Sequence, residues 1–585
     1  MSSVMRRVMA AAGTVVAALP ASGQLVNSDW NKDNGDFLWA TGGNWTNGVP
    51  NGANASARFR NAISAARTIT VANAGFDVGQ MVFETDNAAK SYTITGGSLT
   101  FKNATQNRIL VDANNKAMHT IASNIKIDVN DLVLESAAAN VPDFAVRTKI
   151  TGGLFQLNNT ARALRVRGTG YFDLDTESNF LTGGTFVEQG RLRVKGDKAL
   201  GNGNKDISIV SGDLLVGKDF STTRKVQVGK AVGKQAAAIG NQGEAEFKGV
   251  ISGTGGLILF GQLDGRTKLT ADNTFTGPVD ILGTQVDIAK AANLGKGTET
   301  LTMADAILNV SGDANLGRSV QVIAYSGINV AAKKTVTVDK IDGIGGQPAA
   351  FDVFRKLGAG TVRAAGKATV PLRIIELNEG EIDVAGRVLV TEGIVADLLG
   401  KPKVLGGGGE IEGRVLTAPQ TTLKPKKGNK ESLAWRLDQT GDLEIGAGTA
   451  FELGISAAGG LAGEVNGWGM WNLQGSLLLG ATAVEPLVVR LSTLDFVDAG
   501  AYLPDFDPAQ AYAWRFIGVS GGTISGFDAS SCVVDASGFW NLTYGGSFSV
   551  SMGSDGLYVN FTPAPAPGAL GALGLAGLLG VRRRR

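Results

Sequence analysis

Hydrophobic and polar residues alternate along most of this chain. Ser91-Tyr92-Thr93-Ile94-Thr95 and Ser98-Leu99-Thr100-Phe101 show the pattern. A period of two over four to eight residues, bounded by Gly and Asn, predicts half-buried strands, because successive strand side chains point to opposite faces. Helical periodicity is almost absent outside the two termini. The expected fold is all-β, with many short strands and tight turns.

A longer regularity lies over this alternation. One segment runs Gly168-Thr169-Gly170, Asn179-Phe180-Leu181-Thr182-Gly183, Gly190-Arg191-Leu192-Arg193-Val194, Leu200-Gly201. A second runs Gly253-Thr254-Gly255, Asn273-Thr274-Phe275-Thr276-Gly277, Val286-Asp287-Ile288, Leu294-Gly295. Counted from Gly183, the residues Leu192, Val194, Leu200 and Gly201 lie at offsets 9, 11, 17 and 18. Counted from Gly277, Val286, Ile288, Leu294 and Gly295 lie at the same offsets. A looser third copy covers 356–386, with Leu357-Gly358-Ala359-Gly360 and Gly380-Glu381-Ile382-Asp383-Val384. One such repeat cannot bury its apolar face alone, but stacked repeats share a continuous core. The alternation sets Leu192, Val194, Val286 and Ile288 inward and Arg191, Arg193 and Asp287 toward water, since a slip of one residue would expose every apolar side chain.

These residues, best over 168–201 and 253–297, resemble the autotransporter-associated β-strand repeat of bacterial passenger-type surface proteins. Trp39, Gly42-Gly43-Asn44-Trp45 and Val49-Pro50-Asn51 look like the opening of such proteins. Gly406 to Gly413, Leu423-Lys424-Pro425 and Gly441-Asp442-Leu443-Glu444-Ile445 look like their closing turns. The resemblance implies a right-handed parallel β-helix (a solenoid) over 24–483, displayed outside the cell. The C-terminal sequence lacks the membrane-barrel pattern of true autotransporters. A β-rich cap is expected over 484–561, with strands around Leu487, Trp514, Ser547 and Leu557. Trp514 and Trp540 read as cap or core residues, because a solenoid end needs a cover against edge pairing.

Composition sharpens this picture. The 585 residues include 82 Gly but only 15 Pro, with 43% hydrophobic residues. That is too apolar for a disordered chain, so the glycines serve turns. The net charge of +2 comes from 55 basic and 53 acidic residues. Six of the basic residues sit at the extreme ends: Arg6, Arg7 and the four arginines of 582–585. The body is therefore slightly acidic, which argues against nucleic acid as a partner.

The ends carry targeting patterns. Arg6 and Arg7 precede an apolar run from Val8 to Leu19, followed by Ala21-Ser22-Gly23 before Gln24. This order is that of a secretory signal peptide over 1–23, too short for a membrane span. At the other end, Thr562-Pro563-Ala564-Pro565-Ala566-Pro567 forms a stiff spacer. An uncharged run from Gly568 to Val581 and four arginines follow. As a helix the run covers about 21 Å, short of the ~30 Å hydrocarbon core. The tail 562–585 resembles a PEP-CTERM sorting tail, with Pro-Ala-Pro in place of Pro-Glu-Pro, and implies transient membrane anchoring in the cell envelope. Short helices are expected at both termini only.

No catalytic, cofactor-binding or metal-binding residue is assigned. Asp173, Asp175 and Glu177 would share one strand face and could in principle hold calcium or act on a glycan, but a solvated outer face accounts for them. Cys532 reads as an inert thiol, and His119 is the chain's one histidine. Gly518-Val519-Ser520-Gly521-Gly522 has the letters of a nucleophile elbow without the following helix or a later histidine. Gly406-Gly407-Gly408-Gly409 lacks the Lys-Ser or Lys-Thr of a phosphate loop. The expected role is thus structural or adhesive, on polysaccharide or matrix, with the export and sorting machinery as further partners. The alternative is a polysaccharide lyase or hydrolase on the same scaffold. If the signal reading holds, N-terminal sequencing of the envelope fraction gives a chain starting near Gln24; an intact Met1 on cytoplasmic protein overturns it.

Overall fold

The computed structural model describes residues 24–138, 147–202, 205–229, 236–262, 264–344, 352–397, 400–426, 435–494 and 500–565. The signal, the apolar tail and the expected terminal helices lie outside these residues. The described chain is all-β. Its helices are 3-10 turns such as Asp197–Leu200 and Ala291–Leu294, and none is long and apolar enough to cross a membrane. Contacts divide the chain into two compact units, Met1–Leu308 and Asn309–Arg585.

In the first unit the strands stack into parallel ladders, each strand pairing with its counterparts in the preceding and following coils. One ladder is 10-stranded and runs from Val26–Asp29 to Ile251–Gly253. A second begins at Arg67–Val71 and passes through Tyr171–Leu174, Arg191–Val194 and Asp213–Val216. A third, 4-stranded ladder contains Ser98–Phe101 and Asn124–Ile127. The arrangement is that of a β-solenoid. Inward residues stack on inward residues: Phe172, Leu192 and Leu214 are in register, as are Leu174, Val194 and Val216, and all six are fully buried. Each such side chain stabilises the fold by about 1.5–3 kcal/mol.

Leu192, Val194, Val286 and Ile288 point inward as expected. Arg191 and Arg193 do not point into free water. Arg193 Nη1 lies 2.8 Å from Asp173, whose side chain is only 1% exposed, and Arg191 pairs with Asp213 of the next coil. Arg193 thus neutralises a buried carboxylate and is not a freely replaceable surface residue.

The two matched repeats fold alike. Each gives two strands and a 3-10 turn: Thr185–Val187, Arg191–Val194 and Asp197–Leu200 in the first, Val279–Leu282, Gln285–Ile288 and Ala291–Leu294 in the second. Yet they occupy different ladders. The ladder of Arg191–Val194 continues through Asp213–Val216, Ala237–Asn241 and Leu257–Phe260 to Val279–Leu282, the first strand of the second repeat. Gln285–Ile288 instead joins Arg266–Leu269 and Glu244–Phe247. The second copy is therefore rotated by one face of the coil.

The conserved spacing has a hydrogen-bonding cause. Buried Asn179 donates Nδ2–H to the Ala199 carbonyl at 2.7 Å, and buried Asn273 donates to the Asn293 carbonyl at 2.6 Å. The Asn202 amide then reaches Leu181 O at 2.8 Å, and the Lys296 amide reaches Phe275 O at 2.8 Å. Gly201 and Gly295 sit between these bonds at φ +103° and +83°, where a Cβ would come within 2.6 and 2.7 Å of those same carbonyls. Only glycine fits there. The third copy uses a different fastener. Lys356 is fully buried and donates to the carbonyls of Leu357, Gly358 and Glu379 at 2.9, 2.6 and 3.0 Å; burial pulls its pKa down to about 8.

The second unit has its own 11-stranded sheet, which includes Thr335–Val338, Gly380–Val384 and Ala450–Ile455. Leu487–Thr493 extends this parallel stack from Ala450–Ile455, and Cys532–Gly538 follows it. In another ladder Tyr512–Ser520 stacks in parallel on Met470–Gln474, and there the parallel order ends. Tyr512–Ser520 pairs antiparallel with Gly556–Thr562, which pairs antiparallel with Ser547–Gly553. Trp514, Phe539, Phe548 and Phe561 cluster beside this hairpin.

The Asn fastener predicts that Asn179→Ala and Asn273→Ala each lower stability by about 1–3 kcal/mol, because each leaves a buried carbonyl without its donor. The exposed Lys296→Ala should cost within about 0.5 kcal/mol. Urea denaturation of the full chain checks this, and equal midpoints for Asn273→Ala and Lys296→Ala would overturn it.

Candidate ligand-binding surface

Two of the three carboxylates in the acidic cluster are taken up by cations. The strand Tyr171–Leu174 ends before Asp175, so regular strand alternation does not extend through all three carboxylates. Asp173 is buried against Arg193, Asp175 pairs with Lys149 at 2.6 Å, and Glu177 is exposed. Other outer-face carboxylates are likewise engaged across coils. Glu188 joins Arg165 and Arg167 at 2.7 and 2.6 Å, and Arg165 also lies over the Phe186 ring at 4.3 Å. Among the described residues no group of three or more His, Cys, Asp and Glu side chains could hold a metal ion.

The remaining sequence candidates are structural. Ser520 closes a strand, is followed by a turn at Gly521, and donates to Leu473 O at 3.3 Å. Gly406 and Gly407 end the strand Lys403–Gly407 and pack against neighbouring coils. Cys532 opens an outer strand half-buried, and burial pushes its thiol up to about 11, away from the reactive thiolate. Asn44, from the Gly-Gly-Asn-Trp opening, is buried, with Nδ2 bonded to Asp36 and Leu38.

His119 is a core residue. Its ring stacks on Phe83 with centroids 4.5 Å apart, the Tyr92 amide donates to Nδ1 at 3.1 Å, and Nε2 lies 2.8 Å from Asn115 Oδ1. Those partners require Nδ1 to accept and Nε2–H to donate, which only the neutral ring can do.

The eight tryptophans separate into two kinds. Seven are at most 8% exposed, and each indole N–H meets a protein acceptor: Lys32, Pro50, Trp39, Pro425, Arg515, Gln439 and Ala458 receive Trp30, Trp39, Trp45, Trp435, Trp468, Trp471 and Trp514. Trp540 is different. It is 51% exposed, and its indole N–H has no protein partner among the described residues. Of the two tryptophans expected in cap or core, Trp514 is buried in the core and Trp540 is half exposed.

Trp540 is held in place by its backbone and its neighbours. Its amide donates to Thr493 Oγ1 at 3.1 Å, and Asn541 bonds both the amide and the carbonyl of Leu503 at 2.9 Å. Gly500 lies against the indole, so closely that a Cβ there would come within 2.6 Å of it. Tyr502, also exposed, meets Trp540 edge to face with centroids 6.0 Å apart. Leu542 and Tyr544 follow on the same loop, both more than half exposed, with Tyr544 in the left-handed region at φ +47°. Sequence reading missed this group because Trp514 and Trp540 lie in similar apolar surroundings. The available signal was that large residues at 540, 542 and 544 sit in a glycine-bounded stretch between strands.

No protein-family model matches the chain. It is similar to the adhesin BmaC autotransporter of Brucella suis biovar 1 (strain 1330), with 33% identity over 160 residues. The match covers 27% of this chain and 4% of that protein's length. The resemblance to autotransporter surface proteins thus has a partial counterpart in an adhesin, alongside the parallel β architecture.

The buried imidazole predicts an acid sensitivity. Burial lowers the His119 pKa to about 3, well below the ordinary value of 6.5. Unfolded chain therefore takes up a proton as pH falls below about 6.5, while the folded chain does not until about 3. Stability contributed by the neutral ring is full above 6.5 and lost through that window. Between pH 6 and 4, the full chain should lose up to about 1.4 kcal/mol per pH unit more than His119→Phe does. Urea midpoints at each pH measure this, and parallel pH profiles would refute it.

Proposed function

We propose that the chain is an exported surface protein, a right-handed parallel β-helix that acts by adhesion or as structural matter and not by catalysis. The observation that carries this reading is the 33% identity to an autotransporter adhesin. The parallel ladders support it, as does the engagement of outer-face carboxylates in cross-coil ion pairs, which withdraws them from the acid and base roles a glycan-cleaving site needs. In this reading 1–23 directs export, 24–483 forms the solenoid, 484–561 completes and caps it, and 562–585 sorts or anchors it in the envelope. Its partners are extracellular polysaccharide or matrix, the export and sorting machinery, and the membrane through the tail.

Protease treatment of intact cells should degrade the protein while cytoplasmic markers survive. Deleting 563–585 should release it into the medium with an unchanged urea midpoint. Protection from protease, or unchanged cell association of the deletion, would overturn the reading.

A further inference from the structure

We propose that Trp540 and Tyr502 form a binding site for an uncharged polysaccharide, with Leu542 and Tyr544 beside it; this rests on the reading of the chain as a protein displayed outside the cell. Three observations carry it. The first is the contrast among the tryptophans: seven are buried with their N–H groups bonded, and one presents half its surface and an indole N–H that has no protein acceptor among the described residues. An indole that only filled space would be covered like the others. The second is rigidity. The Thr493 and Asn541 bonds and the close approach of Gly500 fix the ring before any ligand arrives, so little ordering cost remains on binding. The third is charge. Residues 484–561 carry eight acidic side chains, two arginines and no lysine or histidine. The segment that carries the group is thus net acidic, which makes acidic polysaccharide and nucleic acid poor matches.

The chemistry of the group fits a sugar. A pyranose ring has an apolar C–H face and a rim of hydroxyls. The open indole face can take the first. The indole N–H and the Tyr502 and Tyr544 hydroxyls, none with a hydrogen bond to protein among the described residues, can take the second. Four exposed large side chains are far fewer than the roughly 20–30 residues a side of a stable protein interface. A single sugar or a short stretch of glycan is of the right size.

Affinity electrophoresis of the full chain tests the proposal. Native gels would contain hydroxyethylcellulose, galactomannan or soluble starch as neutral probes, and alginate as the polyanion. At least one neutral polymer should retard the protein, and alginate should not. Trp540→Ala should weaken the retarding interaction about tenfold or more, the scale of losing one aromatic anchor. Tyr502→Ala should weaken it several-fold, and Trp540→Phe should retain most of it. If Trp540→Ala shifts the urea midpoint, Tyr502→Ala and Trp540→Phe carry the test. The proposal fails if no neutral polymer retards the chain, if alginate retards it equally, or if Trp540→Ala binds like wild type. It also fails if wild type self-associates in sedimentation and Trp540→Ala does not, since the patch would then join two copies of the chain. Protease shaving reports separately on display: a protected protein that still binds a neutral polymer would refute the surface reading and leave the binding site standing.

Discussion

The backbone amides and carbonyls of each strand find partners in the coils before and after it, so no coil can exist alone and the first and last coils are each left with a bare edge. In the first unit, Thr46 and Asn47 return to bond the opening strand Val26–Asp29: the Thr46 amide donates to Asp29 O at 2.9 Å and Asn47 Nδ2–H donates to Asn27 O at 2.7 Å. Trp39 and Trp45, with ring centroids 4.9 Å apart, lie beside them and continue into Phe59 and Phe83. In the second unit a hairpin of opposite sense closes the ladder over a group of aromatic rings. Both devices follow from one constraint, since an uncovered edge is a template for another chain. They also account for where the large aromatics gather.

The same dependence governs the charges. Outward side chains in adjacent coils stand directly over one another, and opposite signs in register relieve what like signs would cost. Asp173 shows how far this goes, because it is fully buried with Arg193 beside it. A solenoid of this kind uses its outer faces as lattices of pairs.

Local features were legible in the sequence, and features that depend on neighbouring coils were not. Alternation placed Leu192, Val194, Val286 and Ile288 correctly because the strand period is a property of the strand itself. The matched offsets revealed a strand–strand–turn repeat for the same reason. They could not reveal that Gln285–Ile288 belongs to a different ladder from Arg191–Val194, since that depends on every coil in between. The environments of Arg193 and Asp173 were hidden likewise, each being set by a residue one coil away. The exposure of Trp540 was hidden in the same way, because covering a ring takes neighbours that its own segment does not specify.

The asparagine fastener has a consequence for how such a chain lengthens. In both repeats the donor, the acceptor carbonyl and the glycine lie within one continuous stretch, 179–202 and 273–296. The stretch therefore carries its own closure wherever it is inserted, and the two copies already sit on different faces. Stacked strands lie 20 and 22 residues apart at Tyr171/Arg191 and Arg191/Asp213, so duplicating the stretch supplies about one whole coil. The molecule can lengthen coil by coil, and each added coil brings its own fastening with it.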